Sequence, residues 1–235
     1  MRRLTLAAVL SLSAWGCNKI IGVEDVTLAE PKDAGTSKTS RSDEDPDDET
    51  TPPRTTRADS GAKSTGCAGA ADCKRIAFVT SAAFSGDLGG TAGADAKCNA
   101  AAKTVAGLAA RSFRAWLSGT GKPAGDRVAR GTDTYRRTDD AIIASSYTDL
   151  VDGTLEKPIS LDENGNTLGS GTLDRSVWTG TTSAGAADTF NCLDWTSADI
   201  LETGTYGDST ETTAAWSESA QSSCNAQRHL YCLEE

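Results

Sequence analysis

Histidine is almost absent from this chain: among 235 residues there is one, His229. That excludes chemistry built on several imidazoles, such as a His-Glu-x-x-His zinc site, and no Gly-x-Ser-x-Gly elbow offers a serine nucleophile. His229, close to Cys232 in strand-like sequence, reads as a satisfied strand residue rather than a base. Cations are scarce beside anions, 23 Lys and Arg against 33 Asp and Glu, for a net charge of −10. An acidic balance of that size argues against nucleic acid as a partner. No stretch is apolar enough to span a bilayer. Acids are plentiful, yet nothing singles out two of them as the pair that glycoside hydrolysis needs. An enzyme with a cryptic carboxylate site is therefore the least favoured reading, and neither a cofactor nor a metal site is expected.

What is present begins with a leader. Arg2 and Arg3 precede an apolar core at Leu4 to Leu12 too short to cross a membrane stably. The leader covers residues 1–16 and ends in Ser13-Ala14-Trp15-Gly16-Cys17, which resembles a bacterial lipobox. Cys17 is then the expected lipidation site, which places the chain in a bacterial cell envelope, at the outer membrane or cell surface. Seven cysteines minus Cys17 leave an even set, Cys67, Cys73, Cys98, Cys192, Cys224 and Cys232, suited to an oxidising compartment. Residues 17–66 hold almost nothing to bury: an acidic run at Asp43 to Glu49, then Pro52-Pro53 and a Thr- and Arg-rich stretch. Such composition cannot offset chain entropy and reads as a disordered, self-repelling tether.

Residues 67–235 are long enough for one domain with a sizeable core, expected to be monomeric. Cys67 and Cys73 suggest a small hairpin bridge at its entrance, preferred over a metal site because no second ligand pair lies nearby. Arg75-Ile76-Ala77-Phe78-Val79-Thr80 alternates as a strand. Thr91 is placed to cap a following helix, with Asp95 in its first turn and Gly107 ending it. Ala94, Cys98, Ala101 and Val105 share one face of that helix. Residues 112–117 form a second strand, with Phe113, Ala115 and Leu117 on one side and Arg114 and Trp116 on the other. Periodicity fades over residues 118–175, a polar, glycine-rich region expected to be long irregular loop. Within it Asp162-Glu163-Asn164-Gly165-Asn166 has oxygen ligands suitable for calcium but lacks the spacing of an EF-hand, and reads as a polar turn. Strand-like sequence resumes at Val177-Trp178-Thr179, and His229 to Leu233 supply a closing strand. Trp195 and the other tryptophans near cysteines are expected to pack on bridges.

Several motifs carry a resemblance in register. They are Arg75-Ile-Ala-Phe-Val-Thr-Ser81, Gly86-Asp-Leu-Gly-Gly-Thr-Ala-Gly-Ala-Asp-Ala-Lys-Cys98 and Phe113-Arg-Ala-Trp-Leu-Ser118, then Val177-Trp-Thr-Gly-Thr181, Asn191-Cys-Leu-Asp-Trp-Thr196 and His229-Leu-Tyr-Cys232. Together they resemble the domain of the leptospiral endostatin-like outer-membrane lipoproteins. The resemblance implies an α+β, C-type lectin-like or endostatin-like fold: helices beside a twisted antiparallel sheet, with long irregular loops. It also implies two nested bridges, Cys98 to Cys232 and Cys192 to Cys224, where four cysteines alone permit three pairings. Relatives in that family are surface adhesins, so adhesin-like binding of an extracellular protein or polysaccharide is the implied function. A glycan or cell-wall-polymer binding module is the alternative. The calcium-lectin signatures Glu-Pro-Asn, Gln-Pro-Asp and Trp-Asn-Asp are absent, and endostatin's zinc site cannot be carried over because its histidines are missing.

Charge offers one further hint. Arg111, Arg114, Lys122, Arg127, Arg130, Arg136 and Arg137 crowd a stretch containing only Asp126 and Asp133, whereas the last sixty residues are mostly acidic. The two halves either pair across the fold or leave a basic patch. On the second reading Arg127, Arg130, Arg136 and Arg137 face outward and hold an anionic polysaccharide or acidic protein surface, since the guanidinium fork suits carboxylate and sulfate oxygens.

Overall fold

The structure, a computed structural model, describes residues 73–235. The leader, Cys17, the tether and Cys67 lie outside the described residues. Eight strands form one mixed sheet: β1 (Lys74–Val79), β2 (Phe113–Ala115), β3 (Thr134–Arg136), β4 (Ile142–Ala144), β5 (Ser176–Trp178), β6 (Thr203–Asp208), β7 (Ala220–Ser223) and β8 (His229–Glu234). Their order is β4-β3-β1-β8-β5-β6-β7, with β2 also paired to β8. The helices are few: α1 (Gly90–Lys103) and the single turns α2 (Ala124–Arg127) and α3 (Tyr147–Leu150).

The closing strand is the centre. All six residues of β8 are buried. One edge pairs antiparallel with β1, Phe78 opposite Cys232. The other pairs with β5 in parallel at His229 and Leu230, then with β2 antiparallel at Cys232 to Glu234. Side-chain alternation sorts the apolar residues into two layers. Phe78, Phe113, Ala115, Leu117, Trp178, Leu230 and Cys232 face α1 and both bridges. Ala77, Val79, Trp116, Val177, Tyr231 and Leu233 face the chain between β2 and β5. The sheet is covered on both sides, which is why its central strand reads as an unbroken apolar run rather than an alternating one.

The two expected bridges form: Cys98 to Cys232, Cα atoms 5.5 Å apart, and Cys192 to Cys224, 5.6 Å apart. Cys73 is also disulfide-bonded, while its expected partner Cys67 lies outside the described residues. Trp195 and Trp178 pack in the layer that holds both bridges, whereas Trp116 and Trp216 stack on each other, ring centroids 5.1 Å apart, in the opposite layer. The tryptophan expectation therefore holds for one pair and not the other.

Five expectations need correction. The sheet is mixed, because β1 runs parallel to β3 and β5 parallel to β8. Thr91 does not cap α1: Gly89 stands at the cap in a left-handed conformation, φ 79°, and no side chain caps the first turn. A glycine entry starts the helix earlier, so Asp95 falls beyond the first turn and serves the sheet instead, accepting from the Ala115 N–H. The helix ends at Lys103, before Gly107, where Thr104 Oγ1 turns back to donate to the Ala101 carbonyl. Residues 118–175 are not loop alone, since α2, β3, β4 and α3 deliver Ala124, Tyr135, Ile143 and Leu150 to the core. Strands β6 and β7 had no sequence signal. In β6 its glycines explain it: a Cβ at Gly204 would sit 2.7 Å from Cys192 Sγ, and one at Gly207 would sit 1.9 Å from the Trp216 carbonyl oxygen. Close approach, not strand propensity, selects those residues.

Two stability outcomes follow from this packing. In the chain-entropy view, replacing Cys98 and Cys232 with Ala, which opens a loop of 134 residues, costs about 3–5 kcal/mol. Opening the 32-residue loop by the Cys192→Ala/Cys224→Ala pair costs less by about 1 kcal/mol. Denaturant melts of the two double variants check the order. At high pH, buried tyrosines decide. Burial pushes the Tyr135 phenol up to about 12 and the fully buried Tyr231 well above its usual value. A raised folded-state pKa gives stability present below the unfolded value near 10 and lost as pH rises through the folded one. The protein should lose stability between about pH 10 and 12, with Tyr135→Phe flattening that loss, read from melting temperature against pH.

Candidate functional site

The basic stretch comes first, because it carried the sharpest sequence expectation. Arg127 does not face outward. Its side chain is 9% exposed and ion-paired to Asp95 at 2.6 Å, and it also donates to the Ala115 and Leu117 carbonyls. The other arginines are held too: Arg130 by Asp126, Arg136 by Asp140 and Arg137 by Asp139. Arg136 and Arg137 are 20% and 17% exposed, leaving Arg130, at 58%, as the open one of the four. The Arg137 guanidinium holds the Asp139 carboxyl below its ordinary value, chiefly by hydrogen bonding. Arg111 and Arg114 reach across the sheet to Glu234 and Glu235. Internal pairing, half of it local and half across the fold, accounts for the arginines of the stretch; an outward basic patch of all four arginines does not exist.

The polar turn is built as a turn. Asp162 accepts from the Asn164 and Asn166 amides at 2.9 and 2.8 Å, and its own N–H reaches the Asn166 carbonyl. Its neighbour Glu163 is buried and accepts from the Ser81 N–H and hydroxyl. Among the described residues no three His, Cys, Asp or Glu side chains gather as a metal site. His229 is buried with Nδ1 2.7 Å from the Thr80 carbonyl oxygen, which serves as its partner.

Two of the pockets among the described residues have an unpartnered hydroxyl at their wall. One, of about 330 Å³, has apolar walls from Ile76, Val105 and Leu108, with Arg111, Thr138 and Glu163 at its polar side. Thr138 Oγ1 is buried there with no hydrogen-bond partner. The other, of about 200 Å³, is lined by Ser160, Thr167, Ser209 and Thr210, with Pro158, Leu168 and Arg175. Ser209 is 1% exposed and its hydroxyl is also unpartnered. Arg175 Nε lies 3.0 Å from Asp208 Oδ2, close enough for charge pairing, yet its N–H is not aligned on that oxygen. Buried polar groups left unpaired are uncommon in a finished fold. Each pocket thus has an unpaired hydroxyl buried in its wall.

Residues sequence reasoning missed lie in the Asn191-Cys-Leu-Asp-Trp-Thr196 motif and at Arg228. Cys192–Trp195 makes a helical turn, but φ is 52°, 52°, 60° and 63° along it, so the turn is left-handed. For residues with a Cβ this costs about 1–2 kcal/mol each. It persists because its surroundings hold it. Asn191 caps it by accepting from the Asp194 N–H, the Trp195 indole donates to the Ser118 carbonyl, and Cys192 is bridged. No glycine marks the place in the sequence, so no signal could have found it. Arg228 is 4% exposed without a carboxylate partner among the described residues, lying 3.7 Å over the Tyr206 ring and 5.1 Å over Trp178. Burial lowers its pKa, and the ring faces stabilise the cation.

Residues 81–212, more than half the chain, match the family described as "Protein of unknown function (DUF1554)". The chain belongs to that family. The match runs from just after β1 to just beyond β6, so the DUF1554 segment includes α1, the region between β2 and β5 and the left-handed turn, while Cys224 and β8 lie beyond it. No curated protein matches the chain.

The arginine geometry gives a direct check. Arg127→Ala leaves Asp95 and two carbonyls short of a buried partner and should cost about 3 kcal/mol. Arg130→Ala, on an exposed pair, should change stability by less than about 0.5 kcal/mol. Chemical denaturation of both variants decides the matter, and near-equal losses would contradict the burial difference.

Proposed function

We propose that this DUF1554 protein is a lipid-anchored cell-envelope recognition protein. Its folded part is of C-type lectin-like or endostatin-like type, as in the leptospiral outer-membrane lipoproteins it resembles. Cys17 carries the lipid, residues 17–66 hold the domain off the bacterial surface, and the region between β2 and β5 meets an extracellular ligand. Nested bridges tying α1 to the closing strand, with Cys192–Cys224 at the other end of the sheet, support the fold assignment.

The observation that carries the binding role is the larger pocket. Its apolar walls and buried, unpartnered Thr138 hydroxyl are the chemistry of a preformed ligand cleft. An amphipathic segment of an extracellular protein fits it: an apolar group against Ile76 and Leu108, a polar group at Thr138 and Arg111. The pocket around Ser209, with Ser, Thr, Pro and Leu residues in its wall, favours a second reading, a sugar ring of a glycan or cell-wall polymer, because its guanidinium is already offset by Asp208. The four arginines are not assigned to binding.

Full-length protein should fractionate with membranes, and Cys17→Ala should release it. Presented to immobilised matrix proteins and to a glycan array, wild type should bind in one arm. Thr138→Val should weaken protein binding about tenfold, or Ser209→Ala should do so for glycan, as expected for one lost hydrogen bond to a ligand. Neither variant should lower the melting temperature, because each removes an unpaired group. Silence of wild type in both arms would sink the recognition reading.

A further inference from the structure

Four of the five large apolar side chains exposed among the described residues fall within residues 190–201. They are Phe190 at 39%, Leu193 at 59%, Ile200 at 66% and Leu201 at 86%. This segment is closed at its base. Asn191 bridges to Gly204, Cys192 is disulfide-bonded to Cys224, and the Cys224 N–H donates to the Glu202 carbonyl at 2.9 Å. The left-handed turn holds Leu193 in solvent while its neighbours Cys192 and Trp195 are buried at 1% and 0%. A strained, fully braced turn that exposes a leucine is a candidate interaction surface.

Charge says what covers it. Residues 176–227 contain no lysine or arginine; residues 190–201 carry Asp194 and Asp199, with Asp188 and Glu202 just outside them. Asp194 and Asp199 are exposed, and accept from the backbone amides of Thr120 and Leu201. None of the four acids has an ion pair among the described residues. Exposed apolar side chains thus share one stretch of chain with acids that no cation neutralises. An anionic bilayer would be repelled by it, and interfacial segments rely on Lys and Arg that are missing here. We propose that residues 190–201 form a second docking surface, whose partner is a protein presenting an apolar recess flanked by lysine or arginine. Apolar anchors supply the affinity, and the acids steer and select a basic partner. The proposal rests on the reading of the chain as a recognition protein but uses neither pocket.

The test uses the full chain carrying Cys17→Ala, so that no micelle competes, and a synthetic amphipathic Lys/Leu peptide as probe. Glu/Leu and Lys/Ser peptides of equal length are the controls. The Lys/Leu peptide should bind, weaken with added salt, and lose at least tenfold in affinity in Leu193→Ser and in Leu201→Ser. Melting temperature should be unchanged in Leu201→Ser, the more exposed site, which keeps the test open should Leu193→Ser disturb the turn. Both control peptides should bind at least tenfold more weakly. Equal binding by the Leu201→Ser variant, or by the Lys/Ser peptide, overturns the proposal. So does sedimentation showing that a second copy occupies the patch, or binding to vesicles that the same variants lose. If these variants change nothing while Thr138→Val or Ser209→Ala still abolishes its own ligand, the surface fails and the recognition reading stands. Silence in every arm removes both.

Discussion

Everything in the described unit leans on one six-residue strand being paired on both edges and covered on both faces. β8 receives β1 along one edge and divides the other between β5 and β2. The Cys98–Cys232 bridge fixes that arrangement from the helix side. Glu234 completes it: its carboxylate accepts from the Ile76 N–H and pairs with Arg111, so the last charged residues close over the strand rather than fray. These pairings lie far apart in sequence, so the loop-closure entropy they demand is large, and the disulfide lowers it by shrinking the unfolded ensemble.

Once β8 is fixed, the second bridge becomes a packing problem. Cys192 sits where a Cβ on Gly86 would lie 2.5 Å from its sulfur and one on Gly204 2.7 Å. Two backbones therefore close on one disulfide, and only glycine tolerates that approach. The same crowding orients Trp195 inward, where a Cβ on Gly180 would meet its ring at 2.6 Å. Glycines that look like turn punctuation in the sequence are here spacers around sulfur and indole. Interiors packed to this density do not accept an added carbon without displacement.

This separates what the sequence made legible from what it did not. Period-two alternation correctly sorted Phe113, Ala115 and Leu117 from Trp116, and the closing strand announced itself as an apolar run. The bridges followed from resemblance, not from spacing. Strands β6 and β7 were invisible because Thr203 to Asp208 and Ala220 to Ser223 lack alternating large apolar residues, and in β6 clearance selects Gly204 and Gly207. The basic stretch misled for a different reason. A count of charges along the chain does not record that Asp126, Asp139 and Asp140 stand within four residues of the arginines they neutralise. Nor does it show Asp95 arriving from a helix. Of the candidate surfaces, the pockets and the left-handed turn rest on orphaned hydroxyls and on φ angles, neither of which leaves a mark on composition.

The turn also bears on how rigid such a surface is. A segment with four consecutive left-handed residues has no favourable conformation of its own, since isolated L-residues strongly prefer the right-handed well. Its shape is imposed by the bridge to Cys224, the Asn191 cap and the Trp195 indole bonded to Ser118. Leu193 therefore presents itself to solvent as a preorganised anchor, having already paid in folding the ordering that a flexible loop would pay at contact. The acids around it are fixed by the same backbone bonds, Asp194 by Thr120 and Asp199 by Leu201. Selectivity then comes from matching shape and charge to a surface that does not adapt, a mode suited to one class of partner rather than many.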